Sequence, residues 1–182
     1  LAFIHAFRIT DKIGNKITNP NTISRIKETL IQIIGNKTEN DPLNSLVLAL
    51  SISYKAVNIV QTYRNLLLQT QVQYSKDNVN DALISYPKTT QHLVNYFNEK
   101  FNPTPTLGSS KHRLDHTLPK LEHKIIESLN DVKELISDTI LRQLLHLIQA
   151  TIQTNYYSRE TEQHSGIAIK LNYTNVPWIP QP

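Results

Sequence analysis

Cysteine and methionine are both missing from this chain of 182 residues, and glycine occurs only four times. Without cysteine the protein has neither disulfides nor thiolate metal sites. The glycines lie too far apart for a phosphate loop, in which clustered glycines let backbone amides approach phosphates. The longest apolar run, LVLAL at 46–50, is far shorter than the roughly 20 residues of a membrane helix. These absences predict a soluble protein without a glycine-rich nucleotide loop.

The first position is not methionine, and the opening LAFIHAF lacks the layout of a signal peptide. We expect the numbering to start inside a longer reading frame or after processing. The cytoplasm is the predicted location, because nothing in the sequence indicates export.

Positive charge exceeds negative charge only slightly, with 19 Lys and Arg against 15 Asp and Glu and a net charge of +4. An excess this small does not favour a nucleic-acid or membrane partner. The basic residues also stand singly among acids, without interleaved aromatic rings. We therefore interpret the following residues as parts of a solvated helix surface: Lys37, Lys55, Arg64, Lys76, Lys88 and Lys100.

Apolar residues recur at helical spacing through most of the chain, which predicts a mainly α-helical fold. We expect a bundle of about seven helices in two subclusters, with short β-strands at the two ends of the chain. Residues 13–103 form the first helical subdomain and residues 114–158 a long helical pair. Residues 104–113 lack periodicity and collect proline, glycine and serine, so they are predicted to be a linker.

Capping residues predict where the helices of the first subdomain begin and end. Asn21 or Thr22 can cap the first helix, and Gly35 suits a left-handed stop. Later helix starts are predicted from an aspartate before a proline, two serines and a further proline, namely Asp41 with Pro42, Ser53, Ser75 and Pro87.

In the second subdomain, apolar residues repeat every three or four positions from Leu114 to Val132, close to a heptad seam. Pro119 either kinks this helix or marks its true first turn. The last helix is expected to open at Ser137 and Asp138 and to continue into TNYY at 154–157.

A strand-like run, GIAIKLNY at 166–173, follows the helices. A strand needs a neighbour for its backbone N–H and C=O groups, and the sequence offers no obvious partner. The run therefore either pairs with something distant or belongs to a sheet outside this chain. LAFIHAFRIT at 1–10 is likewise interpreted as the last strand of something upstream.

Histidines provide the best candidate for a metal site. His112 and His116 are four residues apart and share a helix face, with Asp115 nearby and His123 further on. Pro119 interrupts the geometry before His123, and no further ligand is evident. Solvated histidines are the commoner case, so we predict no metal site. The tyrosines and phenylalanines fall mainly on apolar helix faces, which favours core packing over a ligand cage.

Carboxylates are the remaining candidates for catalysis. Glu160 and Glu162 lie in a polar loop, where no burial would raise a pKa into the range of a general acid. We find no catalytic constellation and predict no catalytic, cofactor-binding or metal residue.

Residues 39–103 carry a series of motifs in a fixed order. The series begins with an acidic residue, Asp and Asn-Leu before a helix. It continues with Tyr-Arg and Gln before Tyr-Ser, and it ends with a Leu, two Phe and a Pro. This stretch resembles the helical segment of the large-subunit NAD-specific glutamate dehydrogenases of bacteria. The positions that match are Asp41, Asn44, Leu46, Tyr63, Arg64, Gln69, Tyr74, Ser75, Leu93, Phe97, Phe101 and Pro103.

Two later segments resemble the same family. SDTILRQLLHLIQATIQTNYYS resembles its Asp-x-Ile-Leu-Arg helix that ends in Thr-Asn-Tyr, and IKLN…VPWIPQP resembles the Lys-Leu strand and proline-rich start of its catalytic domain. The chain departs from the family at Ala6, Thr139 and Gln153, where the family has an acid and two arginines. The matching residues of the helix are Asp138, Ile140, Leu141, Arg142, Thr154, Asn155 and Tyr156.

The resemblance implies a scaffold between an ACT-like regulatory region, which would end at 1–12, and a catalytic domain, whose first strand would lie in 159–182. The parent would be an oligomer that oxidatively deaminates glutamate to 2-oxoglutarate and ammonia, with NAD as the hydride acceptor. The family's substrate lysines and dinucleotide glycines lie downstream, so this chain alone is expected to bind no cofactor and to be inactive. Its partners would be the rest of its own polypeptide. The residues expected at interdomain contacts are Arg142, Thr154, Asn155, Tyr156 and Lys170.

A second interpretation is a free-standing helical adaptor that binds a partner helix along the seam from Leu114 to Val132. An internal repeat of roughly 30 to 45 residues would favour a solenoid adaptor, and we find none. Downstream nucleotide-fold glycines in the reading frame would support the enzyme, whereas a stop codon near Pro182 would support the adaptor.

Overall fold

The structure, a computed structural model, describes residues 8–11, 13–70, 72–104, 110–158 and 166–179. Helices dominate it, as the sequence predicts. In chain order the elements are α1 (Pro20–Ile34), α2 (Ser45–Leu50), α3 (Tyr54–Gln69), α4 (Lys76–Ser85), α5 (Pro87–Phe101), α6 (Ser110–His112), α7 (Leu118–Leu129), α8 (Leu135–Ala150), β1 (Thr151–Thr154) and β2 (Ile169–Leu171).

The predicted cap at the start of α1 is wrong, and the predicted stop at its end is correct in position but not in conformation. Asn19 caps its start, because its side chain accepts from the N–H groups of Asn21 and Thr22. Pro20 then fits the first helical position, where its missing N–H is not needed. At the other end Gly35 has φ −79°, and the left-handed residue is Asn36, at φ 53°.

The other predicted helix starts of the first subdomain are confirmed. Asp41 accepts from the N–H of Leu43 at the start of the 3₁₀ turn Pro42–Asn44. Ser53 caps α3, and Ser75 forms a capping box with Asn78 at α4. Each side-chain oxygen accepts from a backbone N–H that has no partner inside the helix. α5 begins at Pro87.

The predicted linker at 104–113 is helical in its last residues. Ser110–His112 form α6, and Arg113–Thr117 form a π-helical segment that passes directly into α7. Pro119 is the second residue of α7, but the helical backbone continues into it from Ser110 through the π-helical segment, so Pro119 does not mark where the helix begins. Because Pro119 has no N–H, it cannot donate to a carbonyl in the preceding turn, and the helix widens just before it.

The helices before and after residues 105–109 share one hydrophobic core. The buried apolar cluster runs from Leu43 to Val176 and includes residues from α3, α4, α5, α7 and α8. α5 packs against α7, and α8 packs against α3, α4 and α5. Tyr63 and Phe97 are among its largest fully buried side chains. Among the described helices none is long and apolar enough to cross a membrane.

The last helix ends earlier than predicted, and the terminal strand has a partner within the chain. α8 runs from Leu135 to Ala150, not into TNYY. Thr151–Thr154 form β1 and pair antiparallel with β2, which lies at the centre of the run GIAIKLNY. The pairs are Thr151 with Leu171, Gln153 with Lys170 and Thr154 with Ile169, with an irregularity between the first two.

The predicted first strand, at 1–10, lies mostly outside the described residues. Of its described part, Thr10 makes an isolated antiparallel bridge with Lys16. A turn around Gly14, whose φ is +88°, separates the two bridged residues.

Candidate functional site at the junction of α8 and β1

α8 passes into β1 without a loop. Lys100 of α5 binds the backbone where the helix ends and the strand begins. The ammonium Nζ donates to the carbonyl oxygens of Ile148 at 3.0 Å, Gln149 at 2.6 Å and Thr151 at 2.8 Å. A cation placed here satisfies carbonyls that have no partner in the helix and complements the negative end of the helix dipole. Burial lowers the pKa of Lys100 from 10.5 to about 8.

Thr151, the first residue after α8, is fixed by two hydrogen bonds. Its hydroxyl donates to the carbonyl of Leu147 at 2.8 Å and therefore accepts from the hydroxyl of Tyr63, also at 2.8 Å. Thr151 is only 1% exposed. Burial of the Tyr63 hydroxyl raises its pKa well above the ordinary value of 10, so this hydroxyl stays protonated and donates.

Aromatic rings pack beneath the junction and connect α3, α5 and the segment after β1. Phe97 contacts Tyr63, Phe101 and Tyr156, with ring centroids 5.8, 4.9 and 5.4 Å away. The contacts with Tyr63 and Tyr156 are edge to face, an arrangement that favours the ring quadrupoles. Tyr157 in turn contacts Tyr156 and donates from its hydroxyl to Asn98 at 2.8 Å. Burial raises the pKa of Tyr156 to about 12.

Asn155 joins the two ends of the sheet. Its side-chain oxygen accepts from the N–H of Ala168 at 2.8 Å, and its side-chain nitrogen donates to the carbonyl of Gly166 at 3.2 Å. The hydroxyl of Thr154 accepts from the N–H of Tyr156 at 3.2 Å. The two bonds of Asn155 extend the pairing of β1 and β2 by side-chain contacts where the regular ladder stops.

The structure places three of the five predicted interdomain residues at this junction. Thr154, Asn155 and Tyr156 make the contacts described above. Arg142 lies about two turns earlier on α8, where its guanidinium donates to Asp138 at 2.8 Å on an exposed face. Lys170 is an exposed residue of β2 opposite Gln153.

Lys100, Thr151 and Tyr63 were not predicted as site residues. Lys100 was interpreted as a solvated residue, and that interpretation is wrong because its ammonium lies against the end of α8. A pattern in the sequence could not reveal it, since its three acceptors are 48 to 51 residues away. Tyr63 was recognised only as a position that matches the family.

Arg64 was also interpreted as solvated, and it is fully buried. Its Nη1 donates to both carboxylate oxygens of Asp41, at 2.8 and 2.7 Å, and to Asn80 at 2.9 Å. Burial alone would raise the pKa of Asp41, but the N–H of Leu43 and the guanidinium of Arg64 hold that pKa below its ordinary value. This buried ion pair ties the turn before α2 to α3 and α4.

The segment after β2 folds back onto the helices. The indole Nε1 of Trp178 donates to the hydroxyl of Thr70 at 2.9 Å. Its ring stacks on His146 of α8, with ring centroids 6.1 Å apart. Val176 is fully buried. The described residues 166–179 therefore form β2 and then return to the helical core.

The candidate histidines do not gather around a common point. His112 and His116 contact each other with ring centroids 4.9 Å apart, whereas His123 lies 3.4 Å from Glu127. Within the described part of the chain, no three His, Cys, Asp or Glu residues are grouped so that they could hold a metal ion.

Two family models match the chain one after the other. Residues 38–103 match glutamate dehydrogenase, helical motif 3, and residues 124–182 match the catalytic domain of bacterial NAD-glutamate dehydrogenase. The second match begins inside α7 and includes the whole junction.

Curated relatives agree with the family models. Over 182 residues, 99% of this chain, it is 28% identical to the NAD-specific glutamate dehydrogenases of Halomonas elongata and Pseudomonas aeruginosa. Over 166 residues, 88% of the chain, it is 29% identical to the enzyme of the same name from Mycobacterium tuberculosis. The chain spans 11% of the length of the first two relatives and 10% of the third. Both successive models and all three relatives are glutamate dehydrogenases, so this chain is similar to successive segments of the bacterial NAD-specific glutamate dehydrogenases.

Proposed function

We propose that this chain is the helical support of an NAD-dependent glutamate dehydrogenase, and that it holds the first strands of the catalytic domain in place. The complete polypeptide would oxidise glutamate to 2-oxoglutarate and ammonia, with NAD as the hydride acceptor. Its partners would be the regulatory and catalytic parts of the same polypeptide, in an oligomer.

One observation carries this proposal: α8 becomes β1 with no intervening loop, and the turning point is clamped by Lys100 and Tyr63. A loop would let a strand move independently of the helix before it. Here the position of β1 follows from the positions of α3, α5 and α8, which belong to one core. The junction of α8 and β1 lies within residues 124–182, which match the family's catalytic domain.

The described residues do not fit NAD. A dinucleotide fold binds the pyrophosphate at a glycine-rich turn between a strand and the start of a helix. β1 follows a helix directly, and β2 is followed by a 3₁₀ turn at Tyr173–Asn175. The described glycines, Gly14, Gly35 and Gly166, lie far apart in the chain. We therefore infer that NAD binds to a part of the parent enzyme outside this chain.

The adaptor interpretation gains no support from the comparisons, and the structure gives a reason against it. Most of the proposed binding seam faces the protein's own core, since Leu118, Ile125 and Leu129 are buried, whereas Leu114 at its start is exposed. α7 packs on α5. A partner helix could occupy the seam only after α7 had left the core.

The proposed function is tested by Asn155→Ala and Tyr156→Ala, each made in this chain and in the complete enzyme. If the junction positions the catalytic strands, each variant lowers the melting temperature modestly in the chain and lowers kcat clearly in the complete enzyme. Tyr156→Phe, which keeps the ring on Phe97, and Asn130→Ala, at an exposed position away from the junction, serve as matched controls. Equal destabilisation in both proteins with unchanged turnover would show that the junction only stabilises the end of the helix and does not position the catalytic strands.

A further inference from the structure

Two histidines lie side by side where the chain enters α7. His112 is the last residue of α6, and His116 lies in the π-helical segment that follows. Their ring centroids are 4.9 Å apart, and the ring planes are tilted by 43° to each other. Both residues are exposed. The pair is therefore open to a ligand from solution.

The distance between the two rings fits two imidazoles that bind one metal ion. A metal lies about 2.0 to 2.1 Å from the nitrogen of a histidine ligand, and hence about 3.2 Å from the centroid of its ring. Two such rings at an angle of about 90 to 109° around the metal have centroids about 4.5 to 5.2 Å apart. The observed 4.9 Å falls inside this range. The backbone thus already holds the rings close to the arrangement of a chelate.

The spacing of the pair is one that binds metals on helices. Residues four apart lie on one helix face, and two histidines at this spacing are zinc ligands in the HExxH motif. Each imidazole has two nitrogens, so a ring that binds a metal through one nitrogen can keep a hydrogen bond through the other. The turn between the histidines is π-helical, and such turns recur at functional sites.

The charges around the pair permit a bound cation. Arg113, which lies between the two histidines in the sequence, is turned toward α5. Its Nη1 donates to the carbonyl of Asn102 at 2.8 Å, and its Nε lies 3.8 Å from Glu99. Of the exposed neighbours, Lys111 is positive and Asp115 is negative. The positive charge closest in sequence is therefore paired away from the rings, and the remaining two offset each other.

We propose that His112 and His116 chelate one late first-row divalent cation, of the class of Cu²⁺, Ni²⁺ and Zn²⁺, with water in its remaining positions. Imidazole nitrogen suits these ions, whereas Mg²⁺ and Ca²⁺ prefer oxygen ligands. The sequence offers no further protein ligand and for that reason predicts no metal site, but a chelate completed by water needs only the two rings. The bound ion bridges the π-helical turn and stabilises the entry into α7.

The test is isothermal titration of the 182-residue chain, prepared without an affinity tag, with Ni²⁺. One ion binds per chain. His112→Gln and His116→Gln each weaken binding at least about tenfold, because the second imidazole no longer binds within the same molecule. His123→Gln, at another exposed histidine, leaves the affinity unchanged and is the matched control. Cu²⁺ binds more tightly than Ni²⁺, and Mg²⁺ does not bind.

Thermal unfolding gives a second readout. At about a tenfold excess of Ni²⁺ over its dissociation constant, the melting temperature of the natural chain rises by about 3 to 6 °C, and EDTA reverses the rise. His112→Gln and His116→Gln melt at the natural temperature without metal and show no such rise with it. The proposal is overturned if Ni²⁺ does not bind, or if its affinity is unchanged in both variants. Because the readout is binding to this chain, it is independent of the proposed enzymatic role.

Discussion

At the scale of single residues, the most informative side chains are cations that the helices bury. Lys100 follows an acidic residue and Arg64 precedes an amide in the sequence, and both donate to acceptors far along the chain. Sequence pattern could not distinguish them from Lys88, which is exposed on the same helix as Lys100. Burial of a charge depends on partners that only the folded chain brings near.

Replacing Lys100 with methionine should destabilise the chain. Methionine keeps the apolar stem, one atom shorter, but leaves the carbonyls of Ile148, Gln149 and Thr151 without their donor. We expect a loss of about 2 to 3 kcal/mol, the usual size for hydrogen bonds to a charged group. Thermal or urea unfolding measures it, and Lys88→Met is the matched control on the same helix.

The effect of Lys100 should also depend on pH. Its pKa is about 8 in the folded state and 10.5 in the unfolded state, so the unfolded chain holds more protons between these values. The stability contributed by this group therefore rises as the pH increases from 8 to 10.5. We expect the advantage of the natural chain over Lys100→Met to be larger near pH 10 than near pH 7. An advantage that does not change with pH would contradict the assignment.

At the scale of elements, local chemistry predicted the starts of helices better than their ends. Asp41, Ser53 and Ser75 cap helices as predicted because an N-cap is decided within four residues. The end of α8 was missed because Ile152 continues the helical spacing of Ile148. Lys100, Tyr63 and β2, all distant in sequence, contact Thr151 and make it the first residue of a strand.

The hydrogen bond between Tyr63 and Thr151 gives this element boundary a measurable strength. Thr151→Val keeps the β-branched shape but leaves the hydroxyl of Tyr63 and the carbonyl of Leu147 buried without a partner, which costs about 1 to 3 kcal/mol. Tyr63→Phe removes the donor instead. If the two hydroxyls act as a pair, the double variant loses less than the sum of the single variants, by about 1 kcal/mol. Strict additivity in urea unfolding would show that they do not interact.

At the scale of the whole molecule, the family could be identified from ordered motifs, whereas the spatial arrangement of the helices and strands could not. The resemblance placed Arg64, Phe97 and Tyr156 at matching positions without indicating that Phe97 and Tyr156 touch or that Arg64 is buried. The partner of the final strand was also not predictable, because β1 and β2 are separated by 14 residues and the register contains an irregularity. A sheet this small takes its stability from the helices beneath it.

The isolated 182-residue chain should show no glutamate-dependent reduction of NAD. Its described residues contain no glycine-rich turn between a strand and a helix, which dinucleotide binding requires. The assay is absorbance of NADH with a purified, folded sample, and the complete enzyme serves as the positive control. Sustained NADH formation by the chain alone would overturn this expectation.

Trp178 is the only tryptophan of the chain, and it sits where the final segment returns to the helical core, against His146 and Thr70. Its emission, when it is excited at a wavelength that tyrosine hardly absorbs, therefore comes from a single indole at a known position. Release of the final segment would move the indole into water, shift its emission to the red and remove the nearby imidazole as a quencher. The fluorescence of Trp178 therefore reports whether the final segment of the chain is docked on its helices.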